Sequence, residues 1–357
     1  MFCITTKKKW LLSLIITFAL VIFVSYIVEN TKISFDKDSK YKVDIPKTMR
    51  VAHIKNGNGK DFYSNIYVDN RNVPEIKKNE VLVYVKSATF TQRDYDFFKT
   101  HKNENEFVPC SDFSGIVVKV GSNVKLYEVG DKVFGITDLN NNRGACAEYI
   151  AVPQNNIYTI PYSLTFKQAS AIPTPALLDW FALRSLQKRG LKKGTVVIDD
   201  AISEVGIMLT SLLSNSGFKV TAIDNENVES WVGNFGVKEF ISNTSFKKKQ
   251  RQLHNKYDVV INLRHGLPAN DLVKLVKPNG IFISYEKINK KRNDIKTLII
   301  NNTRIDKEIF AKMARLVHLG KLRINIVKQF NLEHVRDAYV KAIKGNTDGK
   351  VVVNVNP

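Results

Sequence analysis

The sequence predicts an α/β chain: a small β-barrel domain, then a doubly wound parallel sheet, the whole preceded by one transmembrane helix. Three observations carry this. Residues 195–225, TVVIDDAISEVGIMLTSLLSNSGFKVTAIDN, read as strand, tight turn, helix, strand. Between about residue 49 and residue 152, short strand runs alternate with turn glycines. Residues 10–28 form an apolar run without a charge.

That first run has 19 residues. At about 1.5 Å per helical residue it spans the ~30 Å hydrocarbon layer. It is longer than the usual apolar core of a signal peptide, and residues 25–30 (SYIVEN) lack a small-residue cleavage pattern. An uncleaved single-pass N-terminal anchor is expected. The flanking charges divide on orientation. Lys7, Lys8 and Lys9 place the N-terminus inside, whereas Lys32, Lys37, Lys40, Lys42 and Lys47 oppose it, diluted by Glu29, Asp36, Asp38 and Asp44. Residues 1–47 are tail, anchor and polar linker.

Strand runs follow at 81–86, 114–121, 131–135 and 147–152, punctuated by Gly115, Gly121, Gly130, Gly135 and Gly144. They make a barrel-type domain over 48–165, completed by about 325–357. Thr165 and Gln168 form a capping-box pattern, and Pro175 opens a helix through about Lys188. In the 195–225 unit, Gly217 suits a helix C-terminus. Further β-branched runs at 258–263 and 280–285 have the pattern of strands buried on both faces. Strands alternating with helices over 166–324 predict a parallel sheet. Near the end, Leu332, Val335, Ala338, Tyr339 and Ala342 share one helical face, and residues 350–355 form a last strand.

The formal charge is +20, from 54 Lys+Arg against 34 Asp+Glu. The basic clusters at 7–9, 247–251 and 290–292 carry no interleaved aromatics to stack bases, so they read as solvated surface and no nucleic-acid partner is expected. Three cysteines without a CxxC pair exclude a structural zinc lobe. Cys110 and Cys146 are expected as two buried reduced thiols, with a bridge between them left open.

Several segments, in order, resemble the medium-chain dehydrogenase/reductase family, and most of all its zinc-free quinone-oxidoreductase-like branch. Residues 111–123 (SDFSGIVVKVGSN) are similar to its G-D-x-[SA]-G-x-V-x-x-V-G segment. Residues 129–135 (VGDKVFG) match x-G-D-x-V-x-G, and 144–149 (GACAEY) match G-x-[FY]-A-E-[YF] except at Cys146. Residues 171–174 (AIPT), 320–322 (GKL) and 349–351 (GKV) resemble further family positions. The likeness covers about 48–357. It implies a GroES-like barrel, a Rossmann NAD(P)-binding sheet over 166–324, and reduction of a quinone or α,β-unsaturated carbonyl by NAD(P)H. It also implies a frequent habit of homodimerisation.

The departures are informative. Thr91 stands where zinc-dependent relatives carry Cys, and residues 109–111 (PCS) replace their G-H-E, so no zinc site is expected. Asp94 is expected to bond nearby backbone amides. Tyr95 is the candidate proton donor, and Thr91 with Pro173 and Thr174 is expected to line the nicotinamide cleft. The family turn G-A-x-G-G-V-G is here residues 200–206, DAISEVG. Gly206 keeps the close packing of helix on strand, whereas Asp200 and Ser203 replace permissive glycines. Glu204 puts a carboxylate at the helix N-terminus. Two charges about 4 to 5 Å apart at an effective dielectric near 20 repel by roughly 3 to 4 kcal/mol, which opposes a pyrophosphate. Ser203, Glu204, Val205 and Gly206 would sit at that pyrophosphate. Asp224 ends the second strand, where an acid accepts ribose hydroxyls, favouring NAD(H) slightly over NADP(H), or serves as a turn residue.

Two readings follow. One is a membrane-anchored, zinc-independent oxidoreductase with its soluble domain on the cytosolic side, where a cofactor pool exists. The other is a catalytically inactive relative acting as a membrane-tethered binding or scaffold protein.

Overall fold

In the computed structural model the described residues are 44–55, 66–91, 93–94, 96–97, 106–139, 143–263, 266–285, 288, 292–300, 304–344 and 348–357. The apolar segment 10–28 expected as a membrane anchor lies outside them. Among the described residues no helix is long and apolar enough to cross a membrane.

The first part of the chain supplies β1 (Thr48–Lys55), β2 (Ile66–Asn72), β3 (Glu80–Thr89), β4 (Glu106–Phe107), β5 (Asp112–Val120), β6 (Lys132–Ile136), β7 (Tyr149–Pro153) and β8 (Ile157–Thr159). β1 lies between β2 and β4 in a small sheet.

The middle of the chain forms α1 (Phe166–Ser170) and α2 (Pro173–Gln187), then β9 (Gly194–Asp199), α3 (Gly206–Asn215) and β10 (Phe218–Asp224). The Thr165 hydroxyl accepts from the Gln168 amide while Gln168 Oε1 accepts from the Thr165 amide, so the capping box is formed. α2 starts at Pro173, two residues before the expected Pro175. Both prolines fall in the first turn, where no intrahelical N–H is needed. α3 is stopped by Ser216 and by Gly217, whose φ of 93° is left-handed and costs glycine little.

After α4 (Glu229–Val232), β11 (Glu239–Ser242) and α5 (Asn243–Lys249) come β12 (Tyr257–Asn262), α6 (Ala269–Leu272), β13 (Val276–Ser284) and β14 (Lys296–Ile299). The six strands lie in the order β11-β10-β9-β12-β13-β14 and pair parallel throughout. Val196 and Ile198 face one side with Leu183 of α2 and Leu209 of α3, whereas Val197 faces the other with Val260 and Phe282. Burial on both faces is what the β-branched run demands, at roughly 1.5–3 kcal/mol for each such side chain. Strand order reverses between β9 and β12, the point beyond whose carboxyl ends open α/β sheets bind their ligands.

The tail returns to the barrel through α7 (Lys307–His318), β15 (Ile326–Asn331), α8 (Val335–Lys344) and β16 (Lys350–Asn354). The larger barrel sheet then runs β15-β16-β3-β5-β6-β8, with β7 also on β3. Leu332, Val335, Ala338 and Tyr339 are all buried against the barrel core, the face the periodicity marks.

Cys110 and Cys146 are joined by a disulfide, which corrects the expectation of two reduced thiols. Separated by 36 residues, they carry no spacing signal. The barrel lays residues 145–146 antiparallel on 109–110, with Ala145 N donating to Cys110 O at 2.7 Å and Cys146 N to Pro109 O at 3.0 Å. That pairing brings the two Cα atoms to 5.4 Å, within bridging range.

Candidate functional site

The turn between β9 and α3 is drawn against the sheet. A Cβ on Gly206 would meet Asp200 O at 2.4 Å and the Ala201 carbonyl carbon at 2.6 Å, both backbone atoms. Only glycine fits. Asp200, standing where the related turn has glycine, takes a φ of 63° all the same. Asp is one of the few side chains that visit this region. Ser203 does the work of an N-cap. Its amide and hydroxyl both donate to Asp200 O, and its Oγ accepts from Gly206 N at 3.2 Å. Ile202 N donates to Asp224 Oδ2 at 3.1 Å. The amides of Glu204 and Val205 remain as donors at the positive end of α3.

Asp224 ends β10 and is buried. Its Oδ1 accepts from Asn225 N at 2.8 Å, so each carboxylate oxygen holds one backbone amide. Burial pushes its carboxyl above the usual range, against the pull of those amides.

Glu204 does not point freely into solvent. Its Oε2 lies 3.0 Å from Nζ of Lys350, the first residue of β16. Lys350 is 1% exposed, and its Nζ is also 3.8 Å from Asp112 Oδ2. Burial alone would lower the lysine, but Glu204 and Asp112 outweigh it and hold the ammonium above its ordinary range. Asp112, the first residue of β5, is itself locked to the start of α2. Thr174 N donates to Oδ2 at 2.8 Å and Thr174 Oγ1 to Oδ1 at 2.6 Å. The cluster therefore ties barrel, tail strand, α2 and cofactor-type turn together.

Beside it is a second buried group. Asp94 Oδ2 accepts from the amides and hydroxyls of both Thr91 and Ser111, at 2.9 to 3.2 Å. The Thr91 and Ser111 hydroxyls are 2.7 Å apart. Asp94 thus organises backbone, and Thr91 spends its hydroxyl within this network. Burial raises the Asp94 carboxyl despite these bonds. Tyr95, the candidate proton donor, lies outside the described residues.

At the sheet's carboxyl edge, Asp224, Asp199, Asn262 and Ser284 end four neighbouring strands and are all buried. Leu267 N donates to Asp199 Oδ2 at 2.9 Å, and Asn262 Nδ2 to Ser284 Oγ at 3.3 Å. Asp179, midway along α2, is wholly buried with neither carboxylate oxygen hydrogen-bonded. Burial holds it well above the carboxylate range, and its nearness raises Tyr285 further.

Sequence reasoning missed Lys350, Asp112, Ser111 and Asp179. A lysine leading a run of three valines and an acid alone among apolar helical neighbours are signals that could have marked two of them. The sequence alone does not show that Lys350 and Glu204 meet.

Known proteins carry the same layout. An alcohol dehydrogenase GroES-like domain matches residues 77–162, and a zinc-binding dehydrogenase domain matches residues 235–353. A 2-methylene-furan-3-one reductase of Solanum lycopersicum is 28% identical over 300 residues, covering 80% of this chain and 74% of that one. A chloroplast envelope quinone oxidoreductase homolog of Arabidopsis thaliana is 24% identical, covering 79% and 91%. The quinone oxidoreductase structure from Coxiella burnetii superposes with a TM-score of 0.77 at 24% identity, covering 87% of this chain and all of that one. A GroES-like barrel with a Rossmann-like parallel sheet, whose strands end in buried polar residues at the strand reversal, defines a two-domain oxidoreductase fold. The chain belongs to the medium-chain dehydrogenase/reductase family.

Cys110 and Cys146 are bonded to each other, so neither is a free thiolate. Among the described residues no group of three His, Cys, Asp or Glu is placed to hold a metal.

Proposed function

We propose that the chain is a zinc-independent, NAD(P)H-dependent oxidoreductase acting on a quinone or α,β-unsaturated carbonyl. The observation that carries this is the β9–α3 turn. Gly206 holds the helix against the strand with no room for a Cβ, and the amides of Glu204 and Val205 lie at the N-terminus of α3. Those donors fit the diphosphate of a dinucleotide.

The Glu204 and Val205 amides would hold the diphosphate beside Ser203 and Gly206. Asp224, at the end of β10, would accept a ribose hydroxyl, which tilts the reading to NAD(H). When bound, the nicotinamide supplies a hydride. Thr174, fixed by Asp112, walls the cleft between the domains. Thr91 and Ser111, their hydroxyls engaged by Asp94, would shape the floor beside it, and Tyr95 follows Asp94 in sequence as the group to supply a proton to the reduced oxygen. The N-terminal apolar segment would tether this unit to a membrane, with the unit on the cytosolic side and homodimerisation as in relatives.

Nicotinamide fluorescence of the detergent-solubilised full chain, titrated with NADH and NADPH, tests the reading. Micromolar binding of either supports it, and millimolar or no binding of both overturns it. A second reading, an inactive tethered binding protein, draws on one observation: the carboxylate that this turn carries at the diphosphate position.

A further inference from the structure

We propose that Glu204 and Lys350 form a latch, in which the turn's own carboxylate takes the place of a ligand phosphate and must leave before a diphosphate can settle. The inference rests on the reading of the turn as the diphosphate position. It goes beyond that reading by assigning a resident occupant and its counter-ion.

Glu204 follows Ser203 at the entry to α3, one residue before the helix cap Val205, and its carboxylate lies against Lys350 there. Lys350 reaches that region from a different domain. It is fully buried, and its neighbours are Glu204 at 3.0 Å and Asp112 at 3.8 Å. Asp112 is already engaged by two donors from Thr174. The lysine charge is therefore divided between one saturated acid and one acid able to move, since the Glu204 side chain keeps 23% of its surface. An arriving diphosphate meets a turn whose local cation is spent. Opening needs only a rotation of Glu204 toward solvent, which frees the Lys350 charge and lifts the anion from the helix N-terminus at once. Pairing with Lys350 also explains how a carboxylate is tolerated among Asp112, Asp94 and Glu204.

Glu204→Gln removes the charge at constant size and leaves Asp112 beside Lys350, so the fold has no reason to fail; circular dichroism and thermal melting check this. Inorganic pyrophosphate is the probe, measured by calorimetry on the full chain in detergent. A cationic groove at the opposite edge of the sheet, walled by Lys238, Lys321 and Arg323, is a second place for pyrophosphate. All comparisons therefore carry Lys238→Ala, Lys321→Ala and Arg323→Ala. Glu204→Gln is expected to bind pyrophosphate at least tenfold more tightly than the background protein, and adding Lys350→Met to remove that gain. Equal affinity with and without Glu204, or a gain that survives Lys350→Met, overturns the latch. NADH and NADPH titrations of the same proteins keep the two ideas apart. Pyrophosphate gain without dinucleotide binding leaves the latch standing and removes the cofactor reading. Micromolar dinucleotide binding that is indifferent to Glu204 does the reverse.

Discussion

Thr174 gives both its amide and its hydroxyl to the two carboxylate oxygens of Asp112, at 2.8 and 2.6 Å, and so fastens the start of α2 to the first residue of β5. Burial pushes the Asp112 carboxyl up to about 6, against Lys350 and Thr174, which pull it down. The folded value lies above the unfolded one near 3.9, so the folded chain holds more protons between the two. The stabilising contribution is complete below about pH 4 and lost as pH rises through about 6. Two pKa steps amount to roughly 3 kcal/mol. Urea unfolding from pH 4 to pH 7 is expected to show wild-type stability falling by about that much relative to Asp112→Asn. Parallel pH curves would contradict the assignment.

Asp179 is a buried acid without a hydrogen-bond partner, and burial raises its carboxyl. Its cost grows with pH, because ionisation inside the core is opposed and ionisation of the unfolded chain is not. Asp179→Leu is expected to raise stability at pH 7 by about 1–3 kcal/mol, with a smaller gain at pH 4. Chemical denaturation at both pH values measures it, and a destabilised variant would show that the carboxyl has an essential partner.

Gly206 has no space for a methyl group, and the atoms in the way belong to the backbone of the turn. Gly206→Ala must push α3 away from β9. A loss of about 1–3 kcal/mol in urea unfolding is expected, accompanied by weaker nucleotide binding. A variant of unchanged stability would mean that the turn is less tightly drawn than described.

The Cys110–Cys146 bridge closes a loop of 36 residues. The chain-entropy relation gives roughly 3–4 kcal/mol for such a loop. Thermal melts with and without reductant should differ in the wild type and coincide in Cys110→Ser/Cys146→Ser. Identical wild-type melts, with both thiols alkylated in the unfolded reduced chain alone, would place the stabilisation elsewhere.

Much of the fold was legible because both domains obey periods. The β-branched run at 195–199 has no polar face to expose, and the 332–342 stripe repeats at helical spacing. The β9–α3 turn was legible as a conflict of residue types. Its resolution was not, since it depends on Lys350, 146 positions after Glu204 (350 − 204), and no local rule links them. The same holds for Cys110 with Cys146 and for Thr174 with Asp112. None of these contacts is local: the bridge is decided by strand pairing inside the barrel, the other two by the packing of the barrel against the parallel sheet. Start points slipped by a residue or two for a simpler reason: Pro173 and Pro175 both satisfy a first helical turn.

The place of β16 also orders events during biosynthesis. Val352, Val353 and Asn354 pair with Thr89, Ala88 and Ser87 of β3, although 263 residues (352 − 89) separate Val352 from Thr89 in synthesis. On the ribosome the parallel sheet has all of its strands before the barrel has its last one. Until residues 350–354 emerge, the second half of β3 keeps an open edge, the kind of surface that recruits other chains. Premature termination before residue 350 would leave the nascent protein with that edge and without Lys350. Such a product is a substrate for chaperones and proteases, not a slightly shortened protein.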